Sequence, residues 1–464
     1  MGAMSFQVVV LAGGGGLSKE LFPLVTKDLP KALLPVGNRP LISYLVELLE
    51  ASYIKDLLVV VASEEAATLV ENFISSAFYD RLRVEVVSVP EELETADVLR
   101  KISHRLTADD FLVVSGDLMS DIPVGAVAAL HRRKDAAVTA LLCGRPNLKS
   151  SEGSTGASSK DKTKQPVSDI IGLDSSQEHL LFLASSGNVG KELKVRRSLL
   201  RIAGNMEIRT DLVDAHLYAF KRVIVQEVLD SRPGIKCIKR DLVPYLIRWQ
   251  LGLGATPAPA SAVSDEGSDP PRAGSVENGA PAVSISGDEV SSLLQRVCSI
   301  DPSPFKCCAY VASPGKYCAR VNTLQAYGEV NRAIADEMIS LTQYEVSSHN
   351  NVVHETAVMG SKTTVGPHCM VGEGSQMGDK CKIKRSVVGR HCRIGSNVTI
   401  VNSVVMNYVT IDDNCSIQSS VVCSNAHLQE RSSLKDCQVG ASYVVGANQE
   451  YREEALAKKE KSSS

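Results

Sequence analysis

Residues 8–38 read VVVLAGGGGLSKELFPLVTKDLPKALLPVGN, and this stretch decides the fold of the N-terminal half of the chain. The apolar run at 8–11 predicts a buried strand, and four consecutive glycines follow it at 13–16. Glycines at this point let backbone N–H groups approach a phosphate closely, because no Cβ stands in the way. Lys31 adds a positive charge for the same anion. The predicted phosphate-binding residues are Gly13, Gly14, Gly16 and Lys31.

The spacing of this loop matches neither of the two common nucleotide-binding motifs. A Walker loop requires a lysine and a serine or threonine directly after its last glycine, whereas Leu17 and Ser18 follow Gly16. The dinucleotide fingerprint requires a third glycine where Ser18 or Lys19 stands. From the residues alone, the glycines fit either a phosphate site or a turn that only lets a strand and a helix pack closely.

The same stretch resembles the signature of the sugar-nucleotidyltransferase family, also called the nucleotide-sugar pyrophosphorylases. That signature reads L-A-x-G-x-G-x-R, then P-x-T, then P-K-x-L-L-P. With a small shift, the matching residues are Leu11, Ala12, Gly14, Gly16, Pro23, Pro30, Lys31, Leu34 and Pro35. The family places an arginine where Ser18 stands, and this arginine grips the triphosphate and the departing pyrophosphate. The neighbouring Lys19 supplies charge, but a lysine lacks the planar fork that holds a phosphate through two hydrogen bonds.

A second landmark of the family is an aspartate at the end of a strand. Residues 111–117 read FLVVSGD, an apolar run that ends at Asp117, on the edge of a parallel sheet where ligands bind. The resemblance implies that Asp117 holds Mg²⁺ against the phosphates, since carboxylate oxygens suit a hard cation. An aspartate just after a strand is also an ordinary turn or cap residue.

A third landmark lies where the family places Gly-Thr-Ala against the nucleotide base. This chain has Glu94-Thr95-Ala96 there. Thr95 is thus a candidate nucleotide contact, but Glu94 brings a side chain and a negative charge to the place of the glycine. Together with Ser18, this departure from the family pattern argues against efficient catalysis.

Composition sets the broad class of the protein. The chain has 464 residues, enough for two or three domains, and its formal net charge of −3 gives no reason to expect direct DNA binding. The 12 cysteines form no C-x-x-C pair, which favours buried free thiols over a zinc site or a disulfide framework. The apolar runs are only strand-length and the N-terminus lacks signal-peptide features, so we expect a cytosolic protein without a membrane segment.

Strand-like runs alternate with helix-like segments up to about residue 245, which predicts a Rossmann-type α/β domain with a mostly parallel sheet. We expect this nucleotidyltransferase-like domain over 5–330, with disordered insertions at about 147–168 and 255–287. A bridging helix or linker is expected over 331–348. The predicted strands are 8–11, 57–61, 84–89, 111–114 and 138–142, and the predicted helices are 41–50, 66–74, 240–248 and 321–341.

The C-terminal part carries an internal repeat of 17 residues. Within each unit the apolar positions are five, six and six residues apart, which indicates a parallel β-helix with one short strand per face and turn. A small residue falls beside the shorter corner, where bulk would not fit. We predict an all-β helix of hexapeptide-type repeats over 349–447 and a charged tail over 448–464. The columns are Ile383, Ile400, Ile417 and Leu434; Val388, Val405, Val422 and Val439; Ile394, Ile411, Leu428 and Val445; and the small Ser386, Ser403, Ser420 and Cys437.

A nucleotidyltransferase-like domain followed by a left-handed β-helix is the architecture of several sugar-nucleotide synthases. It is also that of two subunits of translation initiation factor 2B, the complex that exchanges GDP for GTP on initiation factor 2. The chain resembles the gamma-subunit family of that factor from residue 5 to about 446, and segments 211–220, 240–246 and 383–389 add to this resemblance. The epsilon family continues into a helical catalytic domain that is not found in this sequence, which favours gamma over epsilon.

The resemblance implies a non-catalytic role in that complex. The implied partners are the catalytic epsilon subunit, the regulatory alpha, beta and delta subunits, and initiation factor 2. It implies no cofactor, and at most weak binding of GTP or Mg²⁺ at a vestigial site. The alternative is a GDP-mannose or ADP-glucose pyrophosphorylase, or its regulatory subunit. Lys31 and Asp117 support this alternative, whereas Ser18 and Glu94 oppose it.

Overall fold

The computed structural model describes residues 6–13, 20–78, 81–144, 169–185, 205–252, 305–336, 341–342 and 344–458. The insertions predicted at 147–168 and 255–287 lie outside these ranges. None of the helices within these ranges is long and apolar enough to cross a membrane.

The N-terminal part contains 14 described strands and seven described α-helices. The strands are β1 Gln7–Leu11, β2 Pro35–Val36, β3 Arg39–Pro40, β4 Asp56–Val61, β5 Arg83–Ser88, β6 Asp110–Ser115, β7 Leu118–Ser120, β8 Ala136–Gly144, β9 Asp169–Asp174, β10 Leu180–Ser185, β11 Met206–Arg209, β12 Leu212–Lys221, β13 Lys306–Val311 and β14 Cys318–Arg320. The helices are α1 Leu41–Ala51, α2 Glu64–Ala77, α3 Thr95–Ile102, α4 Val124–Lys134, α5 Arg222–Ser231, α6 Val243–Gln250 and α7 Leu324–Asp336. Shorter helical turns are Lys31–Leu33, Ser103–Arg105 and Ile238–Leu242.

Seven of these strands form a central sheet in the order β13-β8-β12-β6-β1-β4-β5. Strand β1 pairs in parallel with β4 and β6, and β4 pairs in parallel with β5. Among the described pairings of this sheet, the only antiparallel ones are those of β12 with β6 and β8, and β13 pairs in parallel with β8. The prediction of an α/β domain with a mostly parallel sheet is confirmed.

Alternation along the strands explains why both faces of this sheet are covered. Val8 and Val10 point to one face and pack in a cluster with apolar residues of α1, α2 and α4. Val9 points to the opposite face and packs in a second cluster, to which α3, α5 and α6 contribute. A strand buried on both faces reads as a continuous apolar run, as residues 8–11 do.

The C-terminal part is a β-helix of three parallel sheets, with one strand per sheet in each turn. Ile383 pairs with Ile400, which pairs with Ile417, which pairs with Leu434, so the 17-residue columns are stacked neighbours. The strands are β15 Val352–Val353, β16 Val358–Met359, β17 Thr364–Val365, β18 Met370–Val371, β19 Gln376–Met377, β20 Lys382–Lys384, β21 Val387–Val388, β22 Arg393–Ile394, β23 Thr399–Val401, β24 Val404–Val405, β25 Thr410–Ile411, β26 Ser416–Gln418, β27 Val421–Val422, β28 His427–Leu428, β29 Ser433–Lys435, β30 Gln438–Val439, β31 Val444–Val445, β32 Glu450–Arg452 and β33 Ala455–Leu456.

The column of small residues lies beside the shorter corner, where it forms a ladder of hydrogen bonds. The backbone N–H of Ser403 donates to Ser386 Oγ at 3.1 Å, and that of Ser420 donates to Ser403 Oγ at 3.2 Å. The residues that turn this corner, such as Arg385 and Asn402, have left-handed backbone with φ of 46° and 54°. A larger side chain in the column would displace buried hydrogen bonds, so the column stays small.

The end of the β-helix differs from the prediction. Strands β32 and β33 continue the β-helix to Leu456 through the segment predicted as a charged tail. Tyr451 and Leu456 hold the 17-residue register opposite Leu434 and Val439, and the charged residues between them point outward. Within the predicted bridging helix or linker over 331–348, helix α7 is described as far as Asp336, and residues 344–348 contain no helix.

One sheet of the β-helix packs on the N-terminal domain. Its outward-facing Met370, Val387 and Val404 are buried in one cluster with Tyr327 and Ile334 of α7. The Nδ2 of Asn38 also donates to the carbonyl of Val388 at 2.9 Å. Apolar packing therefore joins the β-helix to the domain that carries the candidate site.

Candidate functional site

A cavity of about 550 Å³ opens at the carboxyl edge of the central sheet, where β1 and β6 end. Open parallel sheets bind their ligands at this edge. The predicted residues Gly13, Lys31, Thr95 and Asp117 all line it, so the structure brings these four together. The other two predicted residues, Gly14 and Gly16, lie outside the described ranges.

Gly13 packs tightly against the neighbouring strand. A Cβ at this position would lie 2.9 Å from the backbone nitrogen of Ala62, closer than side chains tolerate. A glycine is therefore required here by packing alone, which agrees with the plainer of the two interpretations of this glycine.

Both carboxylate oxygens of Asp117 accept hydrogen bonds from other side chains of the protein. Arg320 grips it with two hydrogen bonds, from Nε to Oδ1 at 2.9 Å and from Nη2 to Oδ2 at 3.0 Å. Lys31 Nζ donates to Oδ2 at 2.5 Å, and the Ser115 hydroxyl donates to Oδ1 at 2.6 Å. The Asp117 side chain is only 2% exposed, so these partners replace water. We call this group of four residues the Asp117 cluster.

Short elements hold the members of this cluster in place. Strand β14 pairs antiparallel with β7, so that Arg320 lies opposite Leu118. The backbone N–H of Val321 donates to the carbonyl of Asp117 at 2.9 Å, which fixes Arg320 beside the carboxylate. Lys31 opens the helical turn Lys31–Leu33, directly after Pro30.

The electrostatics of the cluster favour the ionised aspartate. Burial raises the pKa of Asp117, but the charges and hydrogen bonds of Arg320 and Lys31 outweigh burial and hold this pKa well below its usual range. Burial lowers the pKa of Arg320, but the negative charge and the hydrogen bonds of Asp117 outweigh burial, so this pKa lies above its usual value. The cluster therefore contains one carboxylate and two cations at neutral pH.

These residues do not fit the magnesium ion that the family resemblance implies. Mg²⁺ binds through carboxylate oxygens, but both oxygens of Asp117 already accept hydrogen bonds, and two cations occupy the surrounding space. Across the described ranges, no group of three or more His, Cys, Asp or Glu side chains could hold a metal ion. The cations of the Asp117 cluster thus take the place where a metal would have to bind.

Residues 94–96, the segment that the family places against the nucleotide base, also form hydrogen bonds to other residues of the protein. Glu94 Oε2 accepts a hydrogen bond from Arg240 Nη2 at 2.7 Å. The Thr95 Oγ1 accepts one from the backbone N–H of Ile238 at 2.9 Å, and the N–H of Ala96 donates to the carbonyl of Lys236 at 2.7 Å. The start of α3 is therefore tied to the segment 236–240 across the cavity mouth.

A second polar group lies behind the Asp117 cluster. Tyr218 donates a short hydrogen bond to the buried carboxylate of Asp214, and Asp214 Oδ1 accepts from the backbone N–H of His216 at 2.9 Å. Burial, reinforced by the positive charges of Arg320 and Lys239, lowers the pKa of His216 well below its usual value. His216 is therefore a neutral imidazole at pH 7 and adds no charge to the cavity.

Arg320, Arg240 and His216 are the site residues that sequence reasoning missed. Segment 211–220 is distinguished in the sequence only by its family resemblance, segment 240–246 by that resemblance and a predicted helix, and no motif surrounds Arg320. Arg320 is 203 residues from Asp117 in the chain, so no local pattern could have joined the two.

Two family models match the chain. The model described as Nucleotidyl transferase matches residues 7–153, and the one described as EIF2B subunit epsilon LbH domain matches residues 348–451. Both agree with the described fold. They confirm the predicted class, an α/β nucleotidyltransferase-like domain followed by an all-β left-handed parallel β-helix.

Known proteins resemble the chain over most of its length. Translation initiation factor eIF2B subunit gamma of Schizosaccharomyces pombe is 32% identical over 462 residues, which cover 99% of this chain and 91% of that protein. The subunit of the same name from Dictyostelium discoideum is 28% identical over 395 residues, covering 82% of this chain and 87% of that protein. Mannose-1-phosphate guanyltransferase of Yarrowia lipolytica is 33% identical over 129 residues, covering only 27% of this chain and 34% of the enzyme.

Proposed function

Because the chain belongs to the family of the gamma subunits of translation initiation factor eIF2B, we propose that it acts as a non-catalytic subunit of that exchange complex. In this role it binds and supports the catalytic epsilon subunit, in an assembly with the alpha, beta and delta subunits. The substrate of the complex is initiation factor 2, whose GDP is exchanged for GTP in the cytosol.

The Asp117 cluster is the observation that carries the non-catalytic part of this proposal. Nucleotidyl transfer by the resembled enzymes needs a carboxylate that holds Mg²⁺ against the phosphates. Here Arg320 and Lys31 neutralise that carboxylate, and Arg240 engages Glu94 at the base position. The carboxylates of Asp117 and Glu94, at positions that serve catalysis in the resembled enzymes, therefore form structural ion pairs in this chain.

The architecture supports the binding part of the proposal. An exchange factor releases GDP by binding the nucleotide-free GTPase more tightly than the loaded one. A subunit without its own catalytic groups contributes by holding the catalytic subunit in a competent arrangement. The flat faces of the β-helix and the edges of the central sheet offer extended surfaces for such contacts.

We expect the isolated chain not to accelerate GDP release from initiation factor 2, and to raise the rate when it is added to the epsilon subunit. Release of a fluorescent GDP analogue is measured with each subunit alone and with both together, and epsilon alone gives the baseline. Acceleration by the isolated chain would refute the non-catalytic role, and no gain over epsilon alone would refute the supporting role.

The alternative function is that of a GDP-mannose or ADP-glucose-type pyrophosphorylase. The similarity to the mannose-1-phosphate guanyltransferase favours it over about a quarter of the chain, as do Lys31 and Asp117. The bonding of Asp117 opposes it, because an ion-paired carboxylate has no free oxygen for a metal.

A further inference from the structure

Exposed cations cluster on one face of the β-helix, near its N-terminal end. Lys382 and Lys384 flank the buried Ile383 on β20, so both point outward. Arg385 occupies the corner that follows, and Lys380 and Lys362 occupy the same corner in successive turns on the other side of β20. All five side chains are exposed. We call Lys362, Lys380, Lys382, Lys384 and Arg385 the basic patch.

The cations of the basic patch have no counter-charge within the described part of the chain. None of the five forms an ion pair with another described residue, whereas most arginines of the N-terminal domain do. The neighbouring carboxylate of Asp379 is held by the backbone N–H of Ser361 at 2.7 Å. In a protein with a formal net charge of −3, this local excess of positive charge stands out.

The spacing of the patch suits an extended chain. Residues two apart on a strand lie about 7 Å from each other on one face, which is the separation of Lys382 and Lys384. An extended polypeptide with carboxylates at every second position presents negative charges at the same interval.

The surroundings of the patch favour a polypeptide over a nucleic acid. Proteins that bind single strands stack bases on aromatic side chains. The outward residues on the strands that pair with β20 are Thr364, Thr399 and Val401, and those on the next strand are Ser416 and Gln418. None of these five is aromatic, and hydroxyl, amide and small apolar side chains suit contacts to an extended peptide.

We propose that the basic patch is a docking surface for an extended, acidic segment of a partner polypeptide. Lys382 and Lys384 bind carboxylates two residues apart in that segment. Lys362, Lys380 and Arg385 extend the positive field to both sides and speed the encounter. This surface lies on the β-helix, separate from the cavity of the Asp117 cluster, and the proposal stands whether or not the chain supports the epsilon subunit.

Fluorescence anisotropy of the full chain with a labelled peptide of alternating glutamate and threonine tests this proposal. At low ionic strength we expect binding that weakens steeply with added salt. The double variant Lys382→Glu/Lys384→Glu is expected to weaken it about tenfold or more. The matched control Arg431→Glu/Lys435→Glu reverses two exposed charges at the other end of the same sheet, about 14 Å away. The two variants are compared at about 0.1 M salt, where the Debye length of about 10 Å is shorter than this separation, and the control should change binding less than about twofold.

Three outcomes would overturn the proposal. The first is that the wild-type chain does not bind the peptide, and the second is that both double variants lose binding equally. The third is that an oligouridylate of the same charge binds the wild-type chain as tightly as the peptide does, and that the Lys382→Glu/Lys384→Glu variant no longer binds this oligouridylate. If this variant does not fold, which circular dichroism would reveal, Lys362→Glu/Arg385→Glu takes its place, with the same weakening expected.

Discussion

Replacing Asp117 with asparagine is expected to destabilise the N-terminal domain by about 3–5 kcal/mol. The substitution keeps the shape of the side chain but leaves Arg320 and Lys31 close together, with side chains only 14% and 11% exposed and no carboxylate between them. The fluorescence of Trp249, the only tryptophan in the chain, reports this domain in urea unfolding, because its ring packs on Phe305 at 4.8 Å.

The matched control for this variant is Ser115→Ala. It removes the hydrogen bond that Ser115 donates to the same carboxylate and the one that its Oγ accepts from Arg320 Nη2, but it leaves all the charges paired and should cost only about 1–2 kcal/mol. Adding Arg320→Met to Asp117→Asn should recover part of the loss, since it removes one of the uncompensated cations. A loss for Asp117→Asn no larger than that for Ser115→Ala would show that the ion pairs contribute little.

The pH dependence of this stability difference has a definite sign. The pKa of Asp117 lies well below its usual value in the folded chain, so its contribution is fully present above the ordinary aspartate pKa of about 3.9. The contribution is lost as the pH falls through the folded value. The wild-type advantage over Asp117→Asn should therefore be constant near neutral pH and shrink in acid.

The second large effect is expected where the β-helix meets the N-terminal domain. Val404 is 4% exposed and lies in the cluster that α7 shares with the outward face of one sheet. A Val404→Asp substitution places an unpaired carboxylate in this contact, which costs several kcal/mol unless the two parts separate. We expect a lower thermal midpoint and faster proteolysis of residues 344–351, which connect the two parts.

The matched control is Val444→Asp. This valine also points outward from the β-helix, but on another sheet, and it is 51% exposed. Its substitution should change stability by no more than about 0.5 kcal/mol. Equal behaviour of the two variants would mean that the buried contact does not hold the parts together.

The β-helix could be predicted in detail because its information is periodic and local. Each turn repeats the same positions, so the columns through Ile383, Val388 and Ile394 fix both the register and the small-residue corner. The last turn was missed for the opposite reason. In that turn only Tyr451 and Leu456 continue the 17-residue apolar columns, and the charged residues around them make the repeat hard to recognise in the sequence.

The candidate site could be predicted only in part. Lys31, Thr95 and Asp117 were found because each follows a recognisable strand or family signature, and all three line one cavity. What those residues do there depends on Arg320 and Arg240, which reach the site from distant segments. Long-range ion pairs leave no pattern in a single sequence, so the loss of a metal position could be inferred only from the structure.

The most direct test of the central claim is an assay of sugar-nucleotide formation. The purified chain is incubated with GTP, mannose 1-phosphate and Mg²⁺, and the released pyrophosphate is measured. We expect none above background, because the carboxylate that would hold the metal is bound to Arg320 and Lys31. Turnover near the enzymatic range of about 1 s⁻¹ or more would contradict this assignment of Asp117.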